Sequence, residues 1–288
     1  ERLVEKNADA YELYLATSYN NAGVFYYEQG RLEKSEKYIL AAMEIRERLA
    51  KKNADAYEPD LAMSYNNAGI FYKKQGQSEK VEKYYLAAIE IYERLAKKNA
   101  AAYESYLATS YNNAGNFYKK QGQSGKAEKY YLAAIEIQKR LVGKNAEAYE
   151  PDLATSYNNA GVFYYEQGRL EKSEKYILAA IEIRERLVKK NADAYEPDLA
   201  GSYNNAGEFY ANQDHLEKSE KYYLAAIEIY ERLVEKNAAA YEPALATSYL
   251  SYYILKEDKT YLDKAYEIAK RRQDDPRCKI IVEFVESH

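Results

Sequence analysis

The chain of 288 residues has no tryptophan, one cysteine (Cys278), two histidines (His215 and His288), five prolines and twelve glycines. One cysteine permits no internal disulfide and fits a reducing, cytoplasmic setting. Two histidines, one in a turn and one at the chain end, give no metal-ligand spacing. No glycine-rich phosphate loop and no nucleophile elbow occur. The many carboxylates lie on repeating polar faces, so the chain is read as non-catalytic, without metal or cofactor. Scarce proline and glycine favour helix, and no alternating strand pattern appears. No run of about 18 apolar residues exists, so no membrane span is expected. A net charge of −4 does not suit a general phosphate-backbone binder, which needs clustered Lys and Arg. Nucleic acid is set aside on that ground.

What the chain has is tyrosine, 35 of them, within a composition that is 47% hydrophobic and 31% charged. It also has a word. Ser-Tyr-Asn-Asn-Ala-Gly stands at Ser18–Gly23, Ser64–Gly69, Ser110–Gly115, Ser156–Gly161 and Ser202–Gly207, at a constant step of 46 residues. A degraded copy at 248–253 keeps the step. Residues 24–42 and 162–180 are identical. A fixed period of this size marks a repeat architecture with one core shared between neighbours.

Each unit reads as two antiparallel helices. In the unit from Pro59 to Tyr103, Pro59-Asp60 suits a first helical turn. Leu61, Tyr65, Ala68, Gly69 and Tyr72 make one face at helical spacing. Gly76 stops this helix as a left-handed cap, a role passed to Asp214 in the fifth unit. A second helix from Ser78 carries Val81, Tyr85, Ala88, Ile89, Tyr92 and Leu95, and Lys97-Lys98-Asn99 closes it. The in-helix glycines at 23, 69, 115, 161 and 207 cost about 1 kcal/mol each relative to Ala, which predicts close approach of a neighbouring helix. Charges such as Glu33, Glu36 and Glu44 read as a solvated convex face.

Five tandem repeats are therefore expected at 11–247. A degenerate repeat with a capping helix (about 277–286) is expected at 248–288. Residues 1–10 are expected to be the remnant of a preceding second helix, because 1–7 repeat the words of 231–237. The chain is accordingly expected to be cut from a longer array or larger protein.

Tyr111-x-x-Ala114-Gly115-x-x-Tyr118 followed by Ala127-x-x-x-Tyr131 resembles the tetratricopeptide pattern Trp-x-x-Leu-Gly-x-x-Tyr, then Ala-x-x-x-Phe. Tyr stands for Trp and Ala114 for Leu, and the period exceeds the family's 34 by 12 residues. Both helices are thus expected to be lengthened, as in bacterial arrays and kinesin light chain repeats. The resemblance implies an all-α, right-handed superhelical solenoid. It also implies a concave groove, lined by each first helix, that binds a protein or peptide.

Helical geometry then places two asparagine ladders beside the core face. The first is Asn20, Asn66, Asn112, Asn158 and Asn204. The second contains Asn67, Asn113 and Asn159, with Asn21 and Asn205 at its ends. An amide both donates and accepts, so a ladder can pair with an extended peptide backbone; the other role open to it is bonding neighbouring helices. Variable positions are Val24, Ile70, Asn116, Val162 and Glu208, then Tyr27, Lys73, Lys119, Tyr165 and Ala211, then Glu28, Lys74, Lys120, Glu166 and Asn212. The four lysines form a basic patch between Tyr-Glu units, suited to an acidic segment or a free carboxylate. The alternative role is structural: a scaffold, the sensor arm of a signalling protein, or a copy that self-associates through its uncapped N-terminal end.

Overall fold

The computed structural model describes residues 8–287, with the backbone alone at 8–10 and Glu28. Residues 1–7, most of the expected remnant, lie outside the described residues, and Ala8 already opens the first hairpin. Among the described residues there are thirteen helices and no strand. They divide into two compact units, Glu1–Lys144 and Asn145–His288.

Unit 1 holds three hairpins: α1 (Ala8–Glu28) with α2 (Leu32–Lys52), α3 (Ala54–Lys74) with α4 (Ser78–Lys98), and α5 (Ala100–Lys120) with α6 (Ser124–Lys144). Gly30, Gly76 and Gly122 turn the chain at φ +70°, +72° and +69°, where a side chain would be strained. Between hairpins the connection is a single residue. Asn53 donates its N–H to the Leu49 carbonyl, ending α2, and its Oδ1 accepts from Ala56 N at 3.2 Å, capping α3. Asn99 repeats this between α4 and α5. The cap overrides the proline signal. The helix expected to begin at Pro59 begins at Ala54, and Pro59 sits inside it. There it has no N–H to give the Asp55 carbonyl.

The core runs between the two helices of each hairpin and on to the next. Leu61, Ala68, Phe71 and Tyr72 of α3 meet Val81, Tyr85, Ala88 and Ile89 of α4, all buried. The in-helix glycines lie where this contact is tightest. A Cβ on Gly115 would fall 2.8 Å from the Tyr131 ring. The approaching helix is therefore the hairpin's own partner. The tyrosines have a second duty. Tyr84 stacks on Tyr72 at 5.6 Å, and the Tyr72 hydroxyl donates to Glu36 of the preceding hairpin at 2.8 Å. Glu36 also takes Lys80 Nζ at 3.0 Å, and these two donors hold its carboxyl below the usual range. Glu36 is thus not a solvated convex charge but a pin between hairpins. Tyr65 to Glu47 and Tyr111 to Glu93 pin the same interfaces at 2.8 and 2.7 Å.

Unit 2 repeats the plan with α7 (Ala146–Glu166) and α8 (Leu170–Lys190), then α9 (Ala192–Ala211) and α10 (Leu216–Lys236). Gly168 turns the first hairpin at φ +69°, and Asp214 turns the second at +57°. The chain closes with α11 (Ala238–Lys256), α12 (Lys259–Arg271) and α13 (Pro276–Glu286). Glu257 takes the left-handed position and Asp258 caps α12. Ile281 and Cys278 of α13 are buried in the core cluster of unit 2, and burial pushes the Cys278 thiol up.

Candidate functional site

The first helices of each unit present the site. In unit 1, Asn20, Val24 and Tyr27 of α1 face Asn67, Ile70 and Lys74 of α3 across a cleft of about 330 Å³. The Tyr27 ring packs edge-on against Phe71 at 5.8 Å, and Lys74 Nζ sits 4.6 Å from the Tyr27 centroid. A second cavity of about 210 Å³ lies between α3 and α5, with Lys73 and Lys120 in its wall. Three lysines of the expected basic patch, Lys73, Lys119 and Lys120, lie near one another, while Lys74 sits over the Tyr27 ring in the first cleft. Burial, then Lys120 and Lys119, pull the Lys73 ammonium below its usual value. No carboxylate of the described residues pairs with Lys73 or Lys120. Asn116 accepts from the Tyr131 hydroxyl at 2.7 Å, so that variable position is occupied by the fold.

In unit 2 the lysine positions read Tyr165-Glu166 and Ala211-Asn212, and Glu208 stands where unit 1 has Ile70 and Asn116. Tyr165 packs edge-on against Phe209 at 5.9 Å. Glu208 is crowded by protein and by Glu166, and both raise its pKa. Asn159 is half-buried on the same helix. The Glu28 side chain, the fifth member of this comparison, lies outside what is described.

The first asparagine ladder requires a correction. Asn66 Nδ2 donates to Ser110 Oγ at 2.7 Å, and Asn204 Nδ2 to Ser248 Oγ at 2.7 Å. Their donors therefore lock hairpin to hairpin instead of facing a ligand. Asn158 is turned the other way, accepting from Ser202 Oγ at 3.2 Å and from Asn205 Nδ2 at 2.9 Å. The reversal has a cause. A serine hydroxyl donates once. Ser110 gives its proton to the Tyr106 carbonyl and is left to accept. At Ser202 the corresponding carbonyl, that of Asp198, is taken by buried Arg184, and the hydroxyl donates to Asn158. Asn112 is buried. Of the first ladder, Asn20 lines the open cleft; of the second, Asn67 does, and Asn113 is half-buried.

Sequence reasoning missed the serines and Arg46 with Arg184. The signal was present: the repeated word begins with serine every time, so its side chain had a fixed partner. Arg184 donates to the Asp198 carbonyl at 3.0 Å, and burial pulls both guanidiniums below their ordinary value.

Stacked hairpins with a first-helix face define a helical-repeat protein. Family models described as tetratricopeptide repeat match residues 14–94 and residues 107–145, 153–191 and 199–237. The chain belongs to the tetratricopeptide repeat family, and its solenoid class follows. Among solved structures, BtubC (BKLC) from P. vanneervenii is 20% identical with TM-score 0.64, covering 89% of this chain and 93% of that one. The apo form of RapI is 16% identical with TM-score 0.68, covering 89% and 84%. Kinesin light chain-like repeats of Podospora anserina give 14% and 0.52, covering 74% and 96%. At these identities the likeness is one of fold. No curated sequence matches. Among the described residues there is no metal-binding group of three His, Cys, Asp or Glu, and no helix long and apolar enough to cross a membrane.

Proposed function

We propose that the chain is a non-catalytic docking scaffold whose first-helix groove in unit 1 receives an acidic protein segment. The observation that carries it is the lysine cluster beside an open, half-apolar cleft. Val24 and Ile70 are exposed on its rim, where an apolar side chain of a ligand would gain about 25 cal/mol for each Å² it buries. Lys73 and Lys120 have cationic heads and, among the described residues, no carboxylate to neutralise them. Asn20 and Asn67 supply amides at the cleft. The solved structures of similar fold include a nuclear import adaptor, which supports a protein partner in kind.

The test is an array of acidic and neutral decapeptides probed with the chain and with Lys73→Glu plus Lys119→Glu. Acidic peptides should bind the parent at least tenfold better than the double variant. Equal binding by both removes the proposal.

A second role, self-association, is favoured by one observation. Tyr11, Tyr14 and Phe25 fall on one face of α1 and are exposed, Tyr14 at 71% and Phe25 at 54%. A second copy seated there would shield them. Light scattering should show mass rising with concentration for the parent and constant for Phe25→Asp; concentration-independent mass in the parent sinks this role.

A further inference from the structure

We propose that the lysine-lined cavity between α3 and α5 holds the phosphate group of a phosphorylated protein segment laid along the unit 1 groove. This rests on the groove of unit 1 being a docking surface for an acidic segment, and it narrows the acidic group to a phosphate monoester.

Charge is the first support. Lys73 stands half-buried with Lys119 and Lys120 close enough to disfavour its own charge. Gathering ammoniums at one place is costly without an anion. A carboxylate brings one negative charge. A phosphate monoester brings about 1.5 to 2 and three strong acceptor oxygens, enough for several ammoniums at once. The side-chain type agrees. The cluster is all lysine, and a lysine ammonium binds phosphate as a compact point charge with three rotatable donors.

The cavity wall supplies neutral donors as well. Gln121 and Ser78 line it; Gln121 Nε2 donates one hydrogen to Ser78 Oγ at 3.0 Å, which leaves its second N–H and the serine O–H as donors. Ser78 is the first residue of α4, and the preceding Gln77 offers no side-chain cap. The Ser78 N–H goes to the Gly76 carbonyl and the Val81 N–H to the Gln77 carbonyl, so Glu79 and Lys80 supply the N–H groups that the positive end of the helix can offer an anion. Unit 2 lacks the lysine pairs, with Tyr165-Glu166 and Ala211-Asn212 at the same positions, although α8 and α10 also begin without a side-chain cap. The site belongs to unit 1, and it is not a general property of the repeat.

Position gives the ligand a spacing. The apolar cleft lies one hairpin step away, about 10 Å for packed helices. An extended chain covers that in about three residues. The probe is a fluorescein-labelled octapeptide with leucine three positions before one phosphoserine. Its controls are the same peptide with glutamate or serine at that place, and free pyrophosphate as competitor. Fluorescence anisotropy should show the phosphopeptide binding at least tenfold tighter than the glutamate peptide. Lys120→Gln, on an exposed side chain that the fold does not need, should lower that affinity at least tenfold, as should Lys73→Gln. Lys51→Gln should leave it unchanged.

Glutamate and phosphoserine peptides that bind alike, both lysine-dependent, overturn the phosphate assignment and leave the acidic groove standing. Peptides indifferent to both lysine variants overturn both. Pyrophosphate that binds more tightly than the phosphopeptide assigns the cavity to free phosphate and overturns the proposal.

Discussion

Hairpin 1 and the first hairpin of unit 2 share residues 15–42 and 153–180 letter for letter. Their surroundings differ. Phe25 is 54% exposed and Phe163 is 1% exposed; Leu40 is exposed and Leu178 half-buried. Within their own units, the equivalent Phe71 and Phe209 rest edge-on against Tyr27 and Tyr165 of the preceding hairpin. Helix-forming propensity is equal in the two copies, so the difference isolates stacking. A repeat of this kind specifies an apolar stripe, and a neighbour decides whether the stripe becomes core.

The largest effect should break that pair apart. Phe163→Ala removes a fully buried ring and should cost about 3–5 kcal/mol, while Phe25→Ala should stay within about 0.5 kcal/mol. Urea unfolding midpoints of the two variants check this, and equal losses would sink the role given to stacking. Next comes packing inside the hairpin. Gly161→Ala puts a Cβ 2.7 Å from Ile177 Cγ1 and 3.1 Å from its backbone nitrogen. Overpacking of this kind should cost about 1–3 kcal/mol, against the gain of about 1 kcal/mol that Ala brings to an open helix. Thermal melts of Gly161→Ala and of Gly143→Ala, where no atom stands within 4 Å, should move in opposite directions.

Smaller effects sharpen the turns. Asp214 holds φ +57° where Gly168 holds +69°. Asp214→Gly should stabilise and Gly168→Asp destabilise, each by about 1 kcal/mol, as read from melting temperatures. The pinning tyrosines predict a pH response. Burial and then the Glu36 bond raise the Tyr72 pKa, and burial with Glu47 does so for Tyr65. The folded state thus holds these phenolic protons more tightly than the unfolded chain. Their stabilisation is complete below about pH 10, the unfolded value, and is lost as pH rises above it. Glu36 acts with the opposite sign. Its lowered pKa gives stability present above about 4.3 and lost as pH falls through the folded value. Melting temperature should fall at both ends, and a Tyr72→Phe variant should soften both losses.

Much of this was written in the chain. The six-residue word at its 46-residue step announced the repeat plan, and the left-handed turns at Gly30, Gly76 and Asp214 followed from residue type, because few side chains tolerate positive φ. The glycines at 69 and 115 announced a close contact, though not which helix made it. Helix starts were misplaced toward Pro59 because a proline is conspicuous, whereas Asn53 reveals its double duty only when α2 and α3 share it.

The groove was legible in part. Helical spacing placed Asn20, Asn67 and the lysines on the first-helix face from sequence alone, since periodicity in one helix needs no partner. Which asparagines remained available was decided in three dimensions. Ser110 lies 44 positions from Asn66, and only stacked hairpins bring amide and hydroxyl within bonding distance. The same holds for Glu36, a surface charge until Tyr72 and Lys80 of the next hairpin arrive. Local spacing sets the faces of a helix; the distant pairs that consume its polar groups exist only once the hairpins have stacked.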